Sequence, residues 1–205
     1  MTGRAARAAA FALYARHRHL PVAMAVCIVF ELSLLGWGRL RVPVLTAGTP
    51  DVAPVRAALL MVVVMALAAG RTLPPSLGDL ERSNPVRLLH LRAGHWLVAT
   101  TVLALVVTPA AMRLGWPWAA ACAANALGLL GLAAVSTVAG VPYWCLPVAV
   151  PGVTWMFGTE TVADVPRPWA WTLVALPHTA GIAVNALLWF VGSVAWVGVG
   201  PRHAA

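Results

Sequence analysis

The chain has 205 residues, of which 61% are hydrophobic and only 10% are charged, and its mean hydropathy is +0.84. A soluble globular domain usually has about 25% charged residues, so this composition excludes that class and predicts an integral membrane protein. The net charge of +8 comes entirely from arginine, because the chain contains no lysine. In so apolar a chain we interpret this charge as an orientation signal and not as a nucleic-acid-binding surface.

The first predicted element is an Ala- and Arg-rich segment, residues 4–19, which also contains Phe11, Leu13 and Tyr14. This mixture is typical of an amphipathic helix that lies along the cytoplasmic membrane surface, with its arginines toward the lipid phosphates. An Ala/Arg-rich tail without that role is the alternative.

Six apolar runs are long enough to cross a bilayer core roughly 30 Å thick, which needs about 20 helical residues. The runs are residues 20–37, 52–70, 96–112, 114–139, 141–158 and 169–200. The last run is too long for one untilted span, and the sequence "ALPHTAG" interrupts it. We therefore predict an outer segment over 159–180, with a short re-entrant helix at 168–176, followed by the sixth span over 180–200.

The connecting segments are short, so we predict a single all-α transmembrane domain over residues 1–205. Residues 39–54 contain three prolines and one glycine and are predicted to form an outer loop. Tryptophans near the ends of the runs are predicted to anchor the protein at the membrane interface; examples are Trp37, Trp96, Trp116 and Trp144.

The arginines lie unevenly on the two sides of the predicted spans. With the N-terminus inside the cell, nine arginines are cytoplasmic and five are outside, as counted along the sequence. Because cytoplasmic loops carry the excess of basic residues, we expect a multi-pass protein of the cytoplasmic membrane with both termini inside.

One acidic residue, Glu31, lies well inside a predicted span. Burying a carboxylate in a membrane is costly unless it is paired, protonated or in contact with water, so Glu31 is a candidate functional residue. With His178, from the interruption of the last run, it would form a proton, cation or substrate path. The structural alternatives are a helix–helix contact for Glu31 and a helix-ending role for His178.

The sequence contains little that indicates an enzyme. Without lysine the chain cannot form the phosphate-binding motif GxxxxGK[ST]. Ser136 lacks the Gly-x-Ser context of a nucleophile, and its alternative role is a hydrogen bond within its own helix. The three cysteines lie far apart without metal-ligand spacing. We predict no catalytic residue, no metal site and no cofactor in this chain.

The remaining charge is concentrated between the second and third spans, in residues 71–95. Five charged residues fall within twenty positions here: Asp79, Glu81, Arg82, Arg87 and Arg92. Asn84 and Pro85 form a typical helix start, and "PVRLLHLRAG" predicts a short amphipathic helix from Pro85 that ends at Gly94. Such a helix rests on anionic headgroups or docks into a cleft of a soluble partner.

At this point the chain resembles the permease subunit of type-2 ABC exporters. The resemblance rests on Glu81-Arg82 as an acidic-basic pair, a proline-containing turn, and "NPVRLLHLRAGH" leading into the third span. The six predicted spans, the amphipathic N-terminal segment and the re-entrant helix before the last span are also similar to that family.

The resemblance implies that a separate ATP-binding cassette subunit, which carries the ATP and Mg²⁺, docks on the charged residues of segment 71–95. It also implies that two permease copies, identical or related, form the path for an exported substrate. The alternative is a proton-linked secondary transporter, or an immunity-type membrane protein, that uses Glu31.

Overall fold

The architecture was analysed in a computed structural model, which describes residues 16, 18–45, 52–74, 85–158 and 179–200. The predicted amphipathic segment 4–19 and the re-entrant helix 168–176 lie almost entirely outside these ranges. Within them the chain forms six helices and one two-stranded hairpin.

Helix α1 spans Leu20–Trp37 and coincides with the first predicted span. Proline at the second position of the helix suits a helix start because its missing N–H has no partner there in any case. The buried positions Ala23, Cys27 and Leu34 form one stripe along the helix, as a helical repeat of 3.6 residues requires. The opposite face is apolar and exposed, with Leu32 at 63%, which suits contact with lipid.

A β-hairpin follows α1, with β1 at Arg41–Leu45 and β2 at Val52–Arg56. The strands are antiparallel, and Pro43 lies opposite Pro54. Two parts of the prediction are therefore wrong: residues 39–54 are more than an irregular loop, and the second apolar run does not start its helix at position 52. Valine-rich sequence favours extended structure, and the hairpin shortens the helix that follows.

Helix α2 spans Ala57–Gly70, and helix α3 spans Pro85–Met112. The prediction that a helix starts at Pro85 is confirmed, but the helix does not end at Gly94. It continues without interruption to Met112, because a single glycine costs only about 1 kcal/mol in a helix that its neighbours hold in place.

Helix α4 spans Trp116–Ala139, between Gly115 at φ 105° and Gly140 at φ 77°. Both glycines have backbone angles that side chains disfavour, so they define the two ends of the helix. Helix α5 spans Cys145–Gly158, and α6 spans Thr179–Val194 with a π-helical continuation, Ala195–Val199. The π-helix ends at Gly200.

Helix α4 is the centre of the bundle. It packs most extensively against α6 and also contacts α2, α3 and α5, while α1 packs against α2 and α3. Residues of α4 such as Leu129, Leu130 and Ala133 are almost completely buried. In the peripheral helices α1 and α6, only 17% of the residues in the apolar stretches are buried.

Four helical stretches in the described chain are long and apolar enough to cross a membrane: Leu20–Trp37, Leu89–Met112, Trp116–Ala139 and Gly181–Val199. Two further helices, Ala57–Gly70 and the stretch Cys145–Thr154, are apolar but shorter. The observed helices support an α-helical membrane protein, as the composition predicted.

Candidate functional site

A cluster of hydrogen bonds joins four elements at the end of the bundle where α1 and α3 begin and α2 and α6 end. We call Arg18, Thr72, Leu73, His95 and Trp196 the clasp. Arg18 precedes α1 and is only 3% exposed. Its Nη1 donates to the carbonyl oxygens of Leu73 at 3.0 Å and Pro74 at 2.6 Å, and lies 3.4 Å from that of Thr72.

The position of Arg18 follows from helix electrostatics. The carbonyls of Thr72, Leu73 and Pro74 belong to the turn just after α2, beside the C-terminal end of the helix, where its dipole carries a partial negative charge. A guanidinium group donates several hydrogen bonds from one plane, so it satisfies these carbonyls just after α2. Arg18 thus connects the start of α1 to the end of α2.

Thr72 and His95 extend the clasp to α3. The Thr72 hydroxyl donates to the carbonyl oxygen of Ala69 at 2.7 Å, and the Nε2 of His95 lies 3.0 Å from the same hydroxyl. With the hydroxyl proton donated to the Ala69 carbonyl, the tautomer that completes this contact carries its hydrogen on Nε2 and donates to the Thr72 oxygen. The His95 side chain is 7% exposed, so this hydrogen bond forms inside the bundle.

Trp196, from the π-helical segment, completes the clasp. Its Nε1 donates to the carbonyl oxygen of Leu73 at 3.2 Å, the same atom that accepts from Arg18. The Trp196 ring packs on His95 with centroids 5.6 Å apart, and on Trp96 at 6.0 Å. The indole is fully buried, so the end of α6 is held against α2 and α3 together.

Helix α3 extends beyond the length that a membrane requires. Its 28 residues correspond to about 42 Å at 1.5 Å per residue, against a bilayer core of roughly 30 Å. We call residues 85–92 the arm of α3. Leu89 and Leu91 are 47% and 58% exposed, and His90 is exposed between them. The arm therefore presents two leucines and a histidine away from the bundle.

Arg92 joins the arm to the last helix. Gly200, with φ 84°, lies so close to the Arg92 guanidinium that a Cβ at this position would overlap it. The positive φ favours glycine at this position, whereas the guanidinium is the end of a flexible side chain and can move aside. Of the other predicted coupling residues, Arg87 lies in the helical backbone of the arm, while Asp79, Glu81 and Arg82 lie outside the described residues.

Glu31 lies near the middle of α1, half-buried, on the same side of the helix as Cys27 and Leu34. The Sγ of Cys27 lies 3.9 Å from the carbonyl oxygen of Met65 on α2. Glu31 therefore lies one turn further along the contact between α1 and α2. Within the described part of the chain, no ion pair or hydrogen bond of its carboxyl is found. Its predicted partner His178 lies outside the described residues.

Sequence reasoning missed a second polar contact, between α4 and α6. Asn185 Nδ2 donates to Asn125 Oδ1 at 2.9 Å, and to the carbonyl oxygen of Gly181 at 3.1 Å. Both asparagines are more than nine-tenths buried. Their only signal in the sequence is that each is an amide within a long apolar run, where a hydrogen-bonding partner is needed.

Ser136 has the structural role that was the alternative to a nucleophile, a hydrogen bond within its own helix. Its hydroxyl donates to the carbonyl oxygen of Leu132 at 3.0 Å and accepts from the backbone N–H of Leu146 at 3.3 Å. The first contact lies within α4, and the second fastens the end of α4 to the start of α5. They give the hydroxyl a structural use of the kind that is common in membrane helices.

No family model, no curated protein and no solved structure matches this chain. The features of the chain that bear on its function are therefore the clasp, the arm of α3 and the sequence around them.

Proposed function

We propose that the chain is the membrane-spanning permease subunit of an ATP-driven exporter, and that a separate ATP-binding subunit docks on residues 79–92. The observation that carries this proposal is the arm of α3. Helix α3 is about 12 Å longer than the bilayer core requires, and its arm exposes Leu89 and Leu91 among the basic residues Arg87, His90 and Arg92 of the sequence. An exposed helix end that combines apolar and basic residues can dock against a soluble partner.

The clasp provides the connection from such a partner to the membrane helices. A force on the arm acts directly on His95 and Arg92, since both belong to α3. The hydrogen bonds of His95 and Trp196 to the turn after α2 link that motion to α2 and α6, and Arg18 links it to α1. In this proposal, ATP-driven association of the partner subunits shifts the population between two arrangements of these helices.

Each part of the proposed assembly has a chemical reason. ATP and Mg²⁺ reside on the partner, because a chain without lysine cannot supply the phosphate-binding lysine of GxxxxGK[ST]. We place the clasp end in the cytoplasm with both termini, and count α2 and α5 with the four long helices as six spans. The substrate path lies between two permease copies, identical or related.

Substitutions in the charged segment 79–92 should weaken binding of the ATP-binding subunit. We expect the protein, purified in mild detergent from its native membranes, to carry an ATP-binding subunit with a GxxxxGK[ST] motif. Replacing both Glu81 and Arg82 with alanine should reduce the amount of this subunit at least tenfold, since an interfacial charged pair commonly contributes more than 1.4 kcal/mol when desolvated.

The control for this experiment is the double substitution Arg39→Ala and Arg113→Ala, which changes two exposed arginines at the opposite end of the bundle. It should leave the partner bound. Purification of the chain without any nucleotide-binding protein, under conditions where it stays folded, would exclude the ATP-driven proposal.

The second candidate function is proton-linked transport, and the observation that favours it is Glu31. A carboxyl group near the centre of a span, for which the described residues supply no ion pair, is typical of a proton or cation site. This candidate needs neither the arm of α3 nor an ATP-binding partner.

Substitution of Glu31 by glutamine separates the two candidates. The main proposal predicts that vesicles containing the purified chain, with a trapped pH-sensitive dye, show the same proton flux with the native protein and with Glu31→Gln. Glutamine keeps the shape and polarity of glutamate but cannot release a proton. A proton flux that is present in the native protein and reduced at least tenfold by Glu31→Gln would favour the secondary transporter.

A further inference from the structure

A groove runs along the outside of the bundle between α1, the end of α2 and α3. Four residues on α1 line one wall, and four residues on α3 line the other: Leu20, Ala23, Met24, Cys27, Val98, Ala99, Val102 and Leu103. Ala69 and Thr72 complete the groove from α2. The Thr72 hydroxyl is engaged in the clasp, so the walls offer almost entirely apolar contact.

The groove begins at the clasp end and extends toward the middle of the membrane. From Leu20 to Cys27 it covers seven residues, or about 10 Å along a helix axis. Met24 and Val98 are 43% and 59% exposed, so the groove opens sideways to the surrounding lipid and not into the bundle. A ligand that enters it must therefore have an apolar part that approaches within the membrane.

The clasp end of the groove carries exposed basic side chains. Arg16 and His19 precede Leu20, and Arg71 lies between the lining residues Ala69 and Thr72; all three are exposed. Among the described residues at this end there is no acidic side chain, since Glu31 is on the order of 16 Å further along α1. An apolar groove with positive charge at its membrane-surface end is complementary to an anionic amphiphile.

We propose that this groove binds one anionic phospholipid from the surrounding leaflet. One acyl chain lies along Ala23, Cys27 and Ala99, and the phosphate lies near Arg16 and Arg71. The acyl chain covers apolar surface that α1 and α3 leave open, and the two arginines supply hydrogen bonds and charge to the phosphate. The bound lipid then joins the first turns of α1 to the middle of α3 beside the clasp.

Binding of defined lipids to the purified full-length chain, followed by native mass spectrometry, tests this proposal. The probes are dioleoyl phosphatidylglycerol, dioleoyl phosphatidylcholine and glycerol phosphate, which has the headgroup chemistry without the chains. We expect phosphatidylglycerol to bind roughly 30-fold more tightly than phosphatidylcholine, the ratio for two basic residues at a membrane surface. Glycerol phosphate should not compete, because it lacks the apolar part.

Two variants localise the site. Arg16→Gln with Arg71→Gln should reduce phosphatidylglycerol to the affinity of phosphatidylcholine. Ala99→Phe, which fills the groove, should weaken both lipids at least tenfold. The matched controls are Arg39→Gln with Arg113→Gln at the opposite end, and Ala25→Phe on the exposed face of α1. Both controls should bind as the native protein does.

Several results would overturn the proposal: equal affinity of the native protein for the two lipids, competition by glycerol phosphate, or a lipid preference that survives Arg16→Gln with Arg71→Gln. Loss of the preference in Arg39→Gln with Arg113→Gln would also overturn it, because the effect would then be due to overall charge. If Ala99→Phe lowers the unfolding temperature, the arginine variants decide the question, since those side chains are exposed.

Discussion

Replacing Trp196 with alanine is expected to reduce the free energy of unfolding by about 3–5 kcal/mol, the range for deletion of a buried aromatic side chain. The indole is fully buried, donates to the carbonyl oxygen of Leu73 and packs on the rings of His95 and Trp96. Its removal leaves a cavity and takes from the Leu73 carbonyl one of its two hydrogen bonds. Denaturant unfolding in detergent micelles, followed by tryptophan fluorescence and circular dichroism, measures the change.

Two further variants define the origin of this effect. Trp196→Phe keeps most of the ring contact but loses the hydrogen bond, and should cost about 1–2 kcal/mol. Trp116→Ala removes an indole that is 64% exposed, and should change stability by less than about 1 kcal/mol. If Trp196→Ala were no more destabilising than Trp116→Ala, the clasp would not hold the helix ends together.

The second large effect is expected at the contact between α4 and α6. A Cβ at Gly131 would lie 2.6 Å from the carbonyl carbon of Leu188 and 2.8 Å from the Cα of Trp189. Backbone atoms of a packed helix cannot move away cheaply, so Gly131→Ala should cost about 1–3 kcal/mol. It also separates the helices that Asn125 and Asn185 join by a hydrogen bond.

Gly36→Ala is the matched control, because a Cβ at Gly36 meets no atom within 4 Å. Alanine there should stabilise α1 by about 0.5–1 kcal/mol, since it restricts the unfolded backbone more than glycine does. Opposite signs for the two substitutions, in the same unfolding assay, are the expected result. A neutral Gly131→Ala would mean that α4 and α6 do not pack as closely as the structure shows.

The features that sequence predicted well are those set by local apolar content. The first span coincides with Leu20–Trp37, and the sixth predicted span, 180–200, covers nearly the same residues as α6 and its π-helical end. In both cases a proline or glycine marks one boundary of a long apolar run. Bilayer thickness supplies the remaining constraint on length.

The features that sequence predicted poorly depend on contacts between distant residues. Residues 52–56 read as the start of a span, but they form a strand because residues 41–45 pair with them. Gly94 reads as a helix end, yet α3 continues through it. The sequence does not predict that Trp96 packs on Trp196 and is only 3% exposed. No local pattern distinguishes such a tryptophan from Trp37, which is 62% exposed.

The residues of the clasp also could not be predicted from the sequence. Arg18 is one of several arginines before the first span, and only the fold reveals that its guanidinium binds carbonyls more than fifty positions away. The density of charge predicts that segment 71–95 couples to a partner, but it does not predict which side chains the partner would contact. Hydrogen bonds of side chains to backbone carbonyls leave no periodic signature in a sequence.

The central claim is that an ATP-binding subunit contacts the arm of α3, and site-specific photocrosslinking in cells tests it most directly. A photoreactive amino acid at position 91, where the leucine is 58% exposed, is compared with the same group at position 105, where the leucine is 66% exposed. Both positions lie on α3, but only the first belongs to the arm.

The proposal predicts a covalent adduct from position 91 with a protein that mass spectrometry identifies by its GxxxxGK[ST] motif. This adduct should be absent from position 105 and lost in the Glu81→Ala, Arg82→Ala background. Adducts from position 91 only with lipid, or with proteins that lack a nucleotide-binding motif, would contradict the claim that this chain is driven by an ATP-binding partner.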